Sequence, residues 1–237
     1  KFKKIITNAK NMVEKKAVLI TIGIKPTYPA TGYGYIEYDS NKKVIIQGVY
    51  KVKTFIEKPK KKTAENFIKN KEFLWNAGIF VWKAEILLHQ IKTFMFELYD
   101  SLGAINDSLN TIQYNTVLDR EWELIQPESV DYGILEKAKN VYTIEADFQW
   151  NDIGSWHSLF NVLTKNNGTS HHDGDVISVQ SENNLVISPN RLTAVVGIKN
   201  IAIINLDDAT LIVPHEKSEA VKDIVNMLKT MNRVEYL

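Results

Sequence analysis

Five short segments of this chain combine residue types that bind or neutralise charged and hydroxylated groups. Glu57-Lys58-Pro59 sets a carboxylate beside an ammonium where a proline ends a β-rich run. A lysine meets phosphate as a point charge and a carboxylate accepts hydrogen bonds from hydroxyls, although a solvated strand end would have the same composition. Thr31-Gly32-Tyr33-Gly34-Tyr35-Ile36 is a glycine-bearing turn entering a strand. It either lets a ligand reach backbone amides or is simply an aromatic-flanked turn. Trp75-Asn76-Ala77-Gly78 precedes an apolar run and offers Asn76 as both donor and acceptor, or as the corner of an Asn turn. In Ser129-Val130-Asp131-Tyr132, Asp131 is a site carboxylate or, with Ser129, part of a helix cap. Trp150-Asn151-Asp152-Ile153-Gly154-Ser155-Trp156 puts Asp152 between a strand and a helix, where a carboxylate holds Mg²⁺ against phosphate oxygens or caps the helix.

The elements that position these residues follow from hydrophobic periodicity. Helical spacing is expected over 2–16, and Ala17 to Gly23 reads as a buried strand. Strands are expected over 33–38, 44–56 and 79–82, the last starting directly after Gly78. Further helices are expected over 61–73, 84–98 and 130–139, with a polar, helical stretch over 100–127 and a strand over 141–146. Strands alternating with helices predict an α/β sheet covered on both faces. After about Asn166 the composition shifts to Asn, Gly, Ser and His, and short strand-like runs follow at 176–179, 185–187, 194–196, 201–205 and 211–213. The expected domains are therefore 1–165 and a small β-solenoid over 166–237. An amphipathic helix over 218–230, with Ser218 as its cap, closes the chain.

Composition bounds the function. The 237 residues are 44% apolar and carry a net charge of +1, which predicts a globular protein with no general attraction for nucleic acid. The chain has no cysteine, so disulfides and thiolate chemistry are excluded. No signal-like or membrane-length apolar run is present, which leads to the expectation of a cytoplasmic protein without membrane partners. His171-His172 lacks further close ligands, and the glycine turn lacks the Gly-Lys-Ser/Thr ending of a P-loop.

Taken in order, Gly23 to Ile36, Phe55 to Pro59, Trp75 to Gly78, Ser129 to Tyr132 and Trp150 to Trp156 are similar to the mannose-1-phosphate guanylyltransferase family. The resemblance covers residues 1 to about 165 closely and implies a Rossmann-type nucleotidyltransferase sheet followed by a small left-handed β-helix. It implies transfer of GMP from GTP to mannose-1-phosphate, giving GDP-mannose and pyrophosphate. Carried onto this chain, Gly34, Glu57 and Asn76 would hold the sugar, Lys58 its phosphate and Asp152 a Mg²⁺ ion, with Asp131 near the sugar. The sugar phosphate is already an anionic nucleophile, so none of the five histidines needs a catalytic role. The carboxyl-terminal part resembles the short family form, so phosphomannose isomerase activity is not expected.

The family also begins with a strand and a Gly-rich, Arg-containing loop around the nucleotide, and it supplies a second aspartate to the metal. Neither is found here, and no Gly-x-Gly-x-x-Arg sequence occurs before Thr31, so the expectation is an amino-terminally incomplete transferase impaired as given. Two other readings compete: a non-catalytic partner subunit that binds sugar phosphate, and an oligomerisation module. The amphipathic last helix serves either a homodimer contact or the sealing of the solenoid end.

Overall fold

In a computed structural model, which describes residues 1–40, 46, 48–164 and 169–237, the lysine-rich opening forms helix α1 (Phe2–Lys15). Ala9, Met12 and Val13 are buried on one face while the lysines remain in solvent. The chain divides into two compact units, Lys1–Trp150 and Asn151–Leu237.

The first unit is built on strands β1 (Leu19–Ile24), β2 (Tyr35–Tyr38), β3 (Val49–Ile56), β4 (Phe73–Val81) and β5 (Val141–Ala146). Hydrogen bonding closes them into a ring in the order β1-β4-β2-β3-β5. β1 runs parallel to β5 and every other pair is antiparallel. Every residue of β1 is buried, which explains its run of apolar and small residues, interrupted by the hydroxyl of Thr21. Helices α2 (Lys61–Lys69), α3 (Ala84–Phe94), α4 (Phe96–Ser108) and α5 (Tyr114–Leu124) complete the unit. On one side of the strands, α1 and α2 pack Met12, Val13 and Ala64 against Ile20, Ile22, Tyr35 and Trp75. On the other, Ile91 of α3 and Ile134 and Leu135 pack against Leu19, Ile36, Phe55 and Leu74. The expected α/β class with helices on both faces is what the chain adopts.

Five details differ from the sequence expectation, the first being that the helix expected over 61–73 ends at Lys69 and Phe73 already opens β4. Trp75 to Gly78 does not precede a strand; it lies inside β4, and the pairing with β1 slips between Thr21 and Gly23 to accommodate a bulge. Gly78, at φ +68, supplies the left-handed conformation the bulge needs. The helix expected over 84–98 breaks at Met95, so that Ile86 and Leu87 before the break and Leu98 and Leu102 after it reach the same core cluster. The helix expected over 130–139 is a single π-helical turn, Asp131–Leu135. Finally, β3 begins at Val49; Val44, Ile45 and Gln47 of the strand expected from residue 44 lie outside the described residues.

The second unit holds α6 (Trp156–Thr164), strands β6 (His171–Val179), β7 (Leu185–Val196), β8 (Ile201–Asn205) and β9 (Thr210–Pro214), and helix α7 (Val221–Thr230). β6, β7 and β8 stack in parallel, as in a solenoid, and β9 turns back antiparallel on β8. The runs expected at 185–187 and 194–196 are the two ends of β7. Buried Asn184 links the stacked strands, donating from Nδ2 to the Ile198 carbonyl (2.8 Å) and accepting at Oδ1 from the Ile201 amide (3.2 Å). Phe160 of α6 packs on Leu185, Ala202, Ile204 and Val213. That contact draws α6 into the second unit, so the units part at Trp150–Asn151, whereas the boundary expected at 165–166 falls at residues outside those described. Ser218 does not cap α7: it is buried in a 3₁₀ turn, and Ala220 occupies the cap position.

Two outcomes follow from this packing. A Cβ at Gly23 would overlap Leu74 Cδ1 and lie 2.9 Å from both Leu74 Cβ and Thr143 Oγ1. Gly23→Ala is expected to lower stability by about 1–3 kcal/mol in urea unfolding, the range for overpacking a close-packed core. His215 is buried against Phe160, with Nε2 2.9 Å from the Asn183 carbonyl and Nδ1 buried without a hydrogen-bond partner. Burial holds its pKa below the ordinary histidine value of 6.5, with a smaller contribution from His157. The unfolded state therefore takes up the proton first, so stability is full above about pH 6.5 and declines as pH falls through that value toward the folded pKa. Urea midpoints measured from about pH 7.5 to about pH 5.5 should fall for the wild type and fall less for His215→Gln.

Candidate functional site

The first unit brings Gly34, Glu57, Lys58, Asn76 and Asp131 together through its strand pairing. Gly34 sits immediately before β2, and its carbonyl accepts the Asn76 amide at 2.8 Å. A Cβ on Gly34 would overlap Glu57 Oε2 and stand 3.2 Å from Asn76 Cβ, so a side chain there would push the carboxylate from its present place. Glu57 follows the last residue of β3, where pairing of Tyr35 with Ile56 carries it alongside Gly34. Its side chain is 8% exposed, with Oε1 2.8 Å from Lys58 Nζ. Oε2 is buried and has no hydrogen-bond partner. A buried acceptor left unpaired is costly, which marks this atom as one that a ligand donor would satisfy.

Lys58 has a left-handed backbone at φ 44, unusual for a side-chain-bearing residue, and buried Pro59 follows it. The Glu57 amide donates to Glu136 Oε1 at 2.9 Å, which ties the turn to the segment just beyond the π-helical turn. The Lys58 side chain remains 56% exposed. Its hydrogen bond to Glu57 holds the ammonium above the ordinary lysine range, with support from the charge of Glu57, Tyr132 and Asp131. A charged lysine at the rim beside an unpaired carboxylate oxygen suits a ligand that carries both a phosphate and hydroxyls.

Asn76 is 9% exposed in β4. Thr21 Oγ1 donates to its Oδ1 at 2.7 Å, the Gly78 amide donates to the same oxygen at 3.2 Å, and Nδ2 donates to Asp131 Oδ1 at 3.1 Å. Asp131 starts the π-helical turn; the Ser129 carbonyl accepts the Gly133 amide at 2.9 Å, while its hydroxyl accepts the Tyr132 amide at a long 3.5 Å. Among the cap and site alternatives open in sequence, the contact to Asn76 ties Asp131 to the other residues of the cluster. An aromatic group braces the preceding loop: Tyr33 meets Trp75 and Trp150 edge to face at 5.2 Å, and Tyr35 OH donates to the Ala30 carbonyl at 2.9 Å. Sequence reasoning missed Thr21 and Glu136. Thr21 interrupts an apolar strand run with a hydroxyl, the one signal that could have exposed it.

Asp152 belongs to the second unit and is exposed. It does not cap α6; Ser155 Oγ accepts the Ser158 amide at 3.1 Å. Among the described residues no group of three or more His, Asp or Glu side chains could hold a metal ion. A single carboxylate suits Mg²⁺ only together with phosphate oxygens, because that ion retains several waters. His171 and His172 open β6. Among the described residues no helix is long and apolar enough to cross a membrane.

Residues 1–167 match the nucleotidyl transferase family, and residues 174–228 match the mannose-phosphate isomerase/GMP-like β-helix domain. A mannose-1-phosphate guanylyltransferase of Escherichia coli is 33% identical over 227 residues, 92% of this chain and 47% of that protein. The xanthan biosynthesis protein XanB of Xanthomonas campestris is 33% identical over 218 residues, 92% of this chain and 45% of that protein. The chain thus spans about half the length of these curated relatives. A crystal structure from Thermus thermophilus, described as a mannose-1-phosphate geranyltransferase, superposes with a TM-score of 0.78 at 22% identity. It covers 94% of this chain and 64% of that one, a likeness of fold.

Proposed function

Because the chain belongs to the nucleotidyl transferase family, we propose that its first unit binds mannose-1-phosphate for guanylyl transfer from GTP. The reaction yields GDP-mannose and pyrophosphate. The observation that carries this reading is the buried, unpartnered Glu57 Oε2 beside Gly34, with the Lys58 ammonium adjacent. Glu57 accepts hydrogen bonds from sugar hydroxyls, Asn76 contacts the sugar beside it, and Asp131 holds Asn76. Lys58 offers its charge to the sugar phosphate. One phosphate oxygen then attacks the α-phosphorus of GTP, a new P–O bond forms, and the bonding electrons to pyrophosphate depart with it. That oxygen is already anionic, so alignment and charge neutralisation supply the catalysis and no general base is required. Mg²⁺ bound through Asp152 and phosphate oxygens would add neutralising charge. A cytoplasmic location belongs to the same proposal. So does a homodimer, favoured by α7, where Ile224 and Met227 are 49% and 56% exposed and no residue is buried.

Calorimetric titration with mannose-1-phosphate, with and without Mg²⁺ and GTP, tests the main reading. Binding to the wild type that weakens at least about tenfold in a folded Lys58→Ala variant is the expected result, given the usual strength of charge-assisted contacts. A folded wild type that shows no binding overturns it. Binding without pyrophosphate release on adding GTP would favour a non-catalytic sugar-phosphate-binding subunit. Sedimentation of the wild type should give a dimer that Ile224→Asp converts to monomer; a monomeric wild type removes the dimer.

A further inference from the structure

Asn76 is almost wholly buried, so the direction of each of its polar atoms is set by neighbours rather than by water. Rotating its amide by half a turn would place Nδ2 against the Gly78 N–H, donor facing donor. The same rotation would place Oδ1 against the Asp131 carboxylate, acceptor facing acceptor. The Gly78 amide cannot reverse its role, and an ionised carboxylate only accepts, so the chemistry admits one orientation. In that orientation Oδ1 receives two donors, Thr21 Oγ1 at 2.7 Å and the Gly78 amide at 3.2 Å, and both of its lone pairs are used. One Nδ2 hydrogen goes to Asp131 at 3.1 Å, and the other is not engaged by any described residue.

We propose that Thr21 is a positioning residue that makes Asn76 a donor only, and that the site thereby selects a hydroxyl where the ligand meets Asn76 and Glu57. This rests on the sugar-phosphate reading above. Without the Thr21 hydroxyl, the Gly78 N–H and Asp131 still orient the amide, but Asn76 Oδ1 would keep a free lone pair and could accept as well as Nδ2 donate. With it, Asn76 presents an N–H and Glu57 Oε2 presents an acceptor, both beside the position a Gly34 side chain would fill. A sugar hydroxyl accepts and donates, so it satisfies both. A keto oxygen would leave Glu57 unpaired, a deoxy position would satisfy neither, and an ammonium would bring a donor against the Asn76 N–H. Thr21 itself is fully buried in β1 and acts through Asn76.

Thr21→Val removes the hydroxyl at nearly constant volume, and Thr21→Ser retains it. In the ligand-free protein, the Asn76 side-chain amide pair in a ¹H–¹⁵N spectrum should shift and gain hydrogen exchange in Thr21→Val and stay close to wild type in Thr21→Ser. Affinity for mannose-1-phosphate should fall about tenfold in Thr21→Val and by less than about threefold in Thr21→Ser. An Asn76 amide pair unchanged in Thr21→Val, or a Thr21→Ser variant that behaves like Thr21→Val, overturns the proposal. If the wild type fails to bind mannose-1-phosphate, the sugar-phosphate reading falls, while the amide spectra still decide whether Thr21 fixes Asn76.

Discussion

A buried carboxamide needs a partner for each hydrogen-bonding group it hides from water, and the candidate site is organised around that requirement at Asn76. Its oxygen needs two donors, and the fold draws them from different places: Thr21 on β1, and the backbone of Gly78 where β4 bulges. Its nitrogen reaches Asp131 on the π-helical turn. Two strands and a helical turn are thereby tied at one side chain. The bulge and the left-handed Gly78 accompany this bond, with the Gly78 amide turned to the Asn76 side chain.

The second constraint is the conformation of Lys58. A non-glycine residue in the left-handed region costs about 1 kcal/mol, and here it lies between the end of β3 and buried Pro59. Glu136 offsets that cost by receiving the Glu57 amide. The turn sends the two side chains of a consecutive pair to different surroundings, Glu57 inward beside Gly34 and Lys58 to the rim. Backbone strain at such a place is consistent with a turn shaped for binding rather than for folding alone.

The second unit is held by a different rule. Parallel strands stacked as coils leave backbone groups at each corner, and Asn184 fills them with its carboxamide, bridging Ile198 and Ile201. His215 performs a related task at the end of β9, giving one ring nitrogen to Asn183 while the other stays buried and unpaired. The apolar side of α6 seals the coil through Phe160, and Val221 at the start of α7 packs on the same cluster, whereas Ile224 and Met227 of α7 stay in solvent.

Local pattern was sufficient for α1, β1 and β5, because burial of one face or of a whole strand imprints a period on neighbouring residues. The sequence by itself also determined the order of the five candidate segments and the change of character toward the carboxyl terminus. It could not place Trp75 to Gly78 inside β4, because a bulge is defined only against its partner strand. Nor could it reveal Thr21 or Glu136: Thr21 meets Asn76 across 55 residues and Glu136 meets Glu57 across 79. Hydrogen bonds of that reach depend on strand order and register, so tertiary structure alone decided which residues face one another, which Asn76 atoms remain for a ligand, and which Glu57 oxygen is left without a partner.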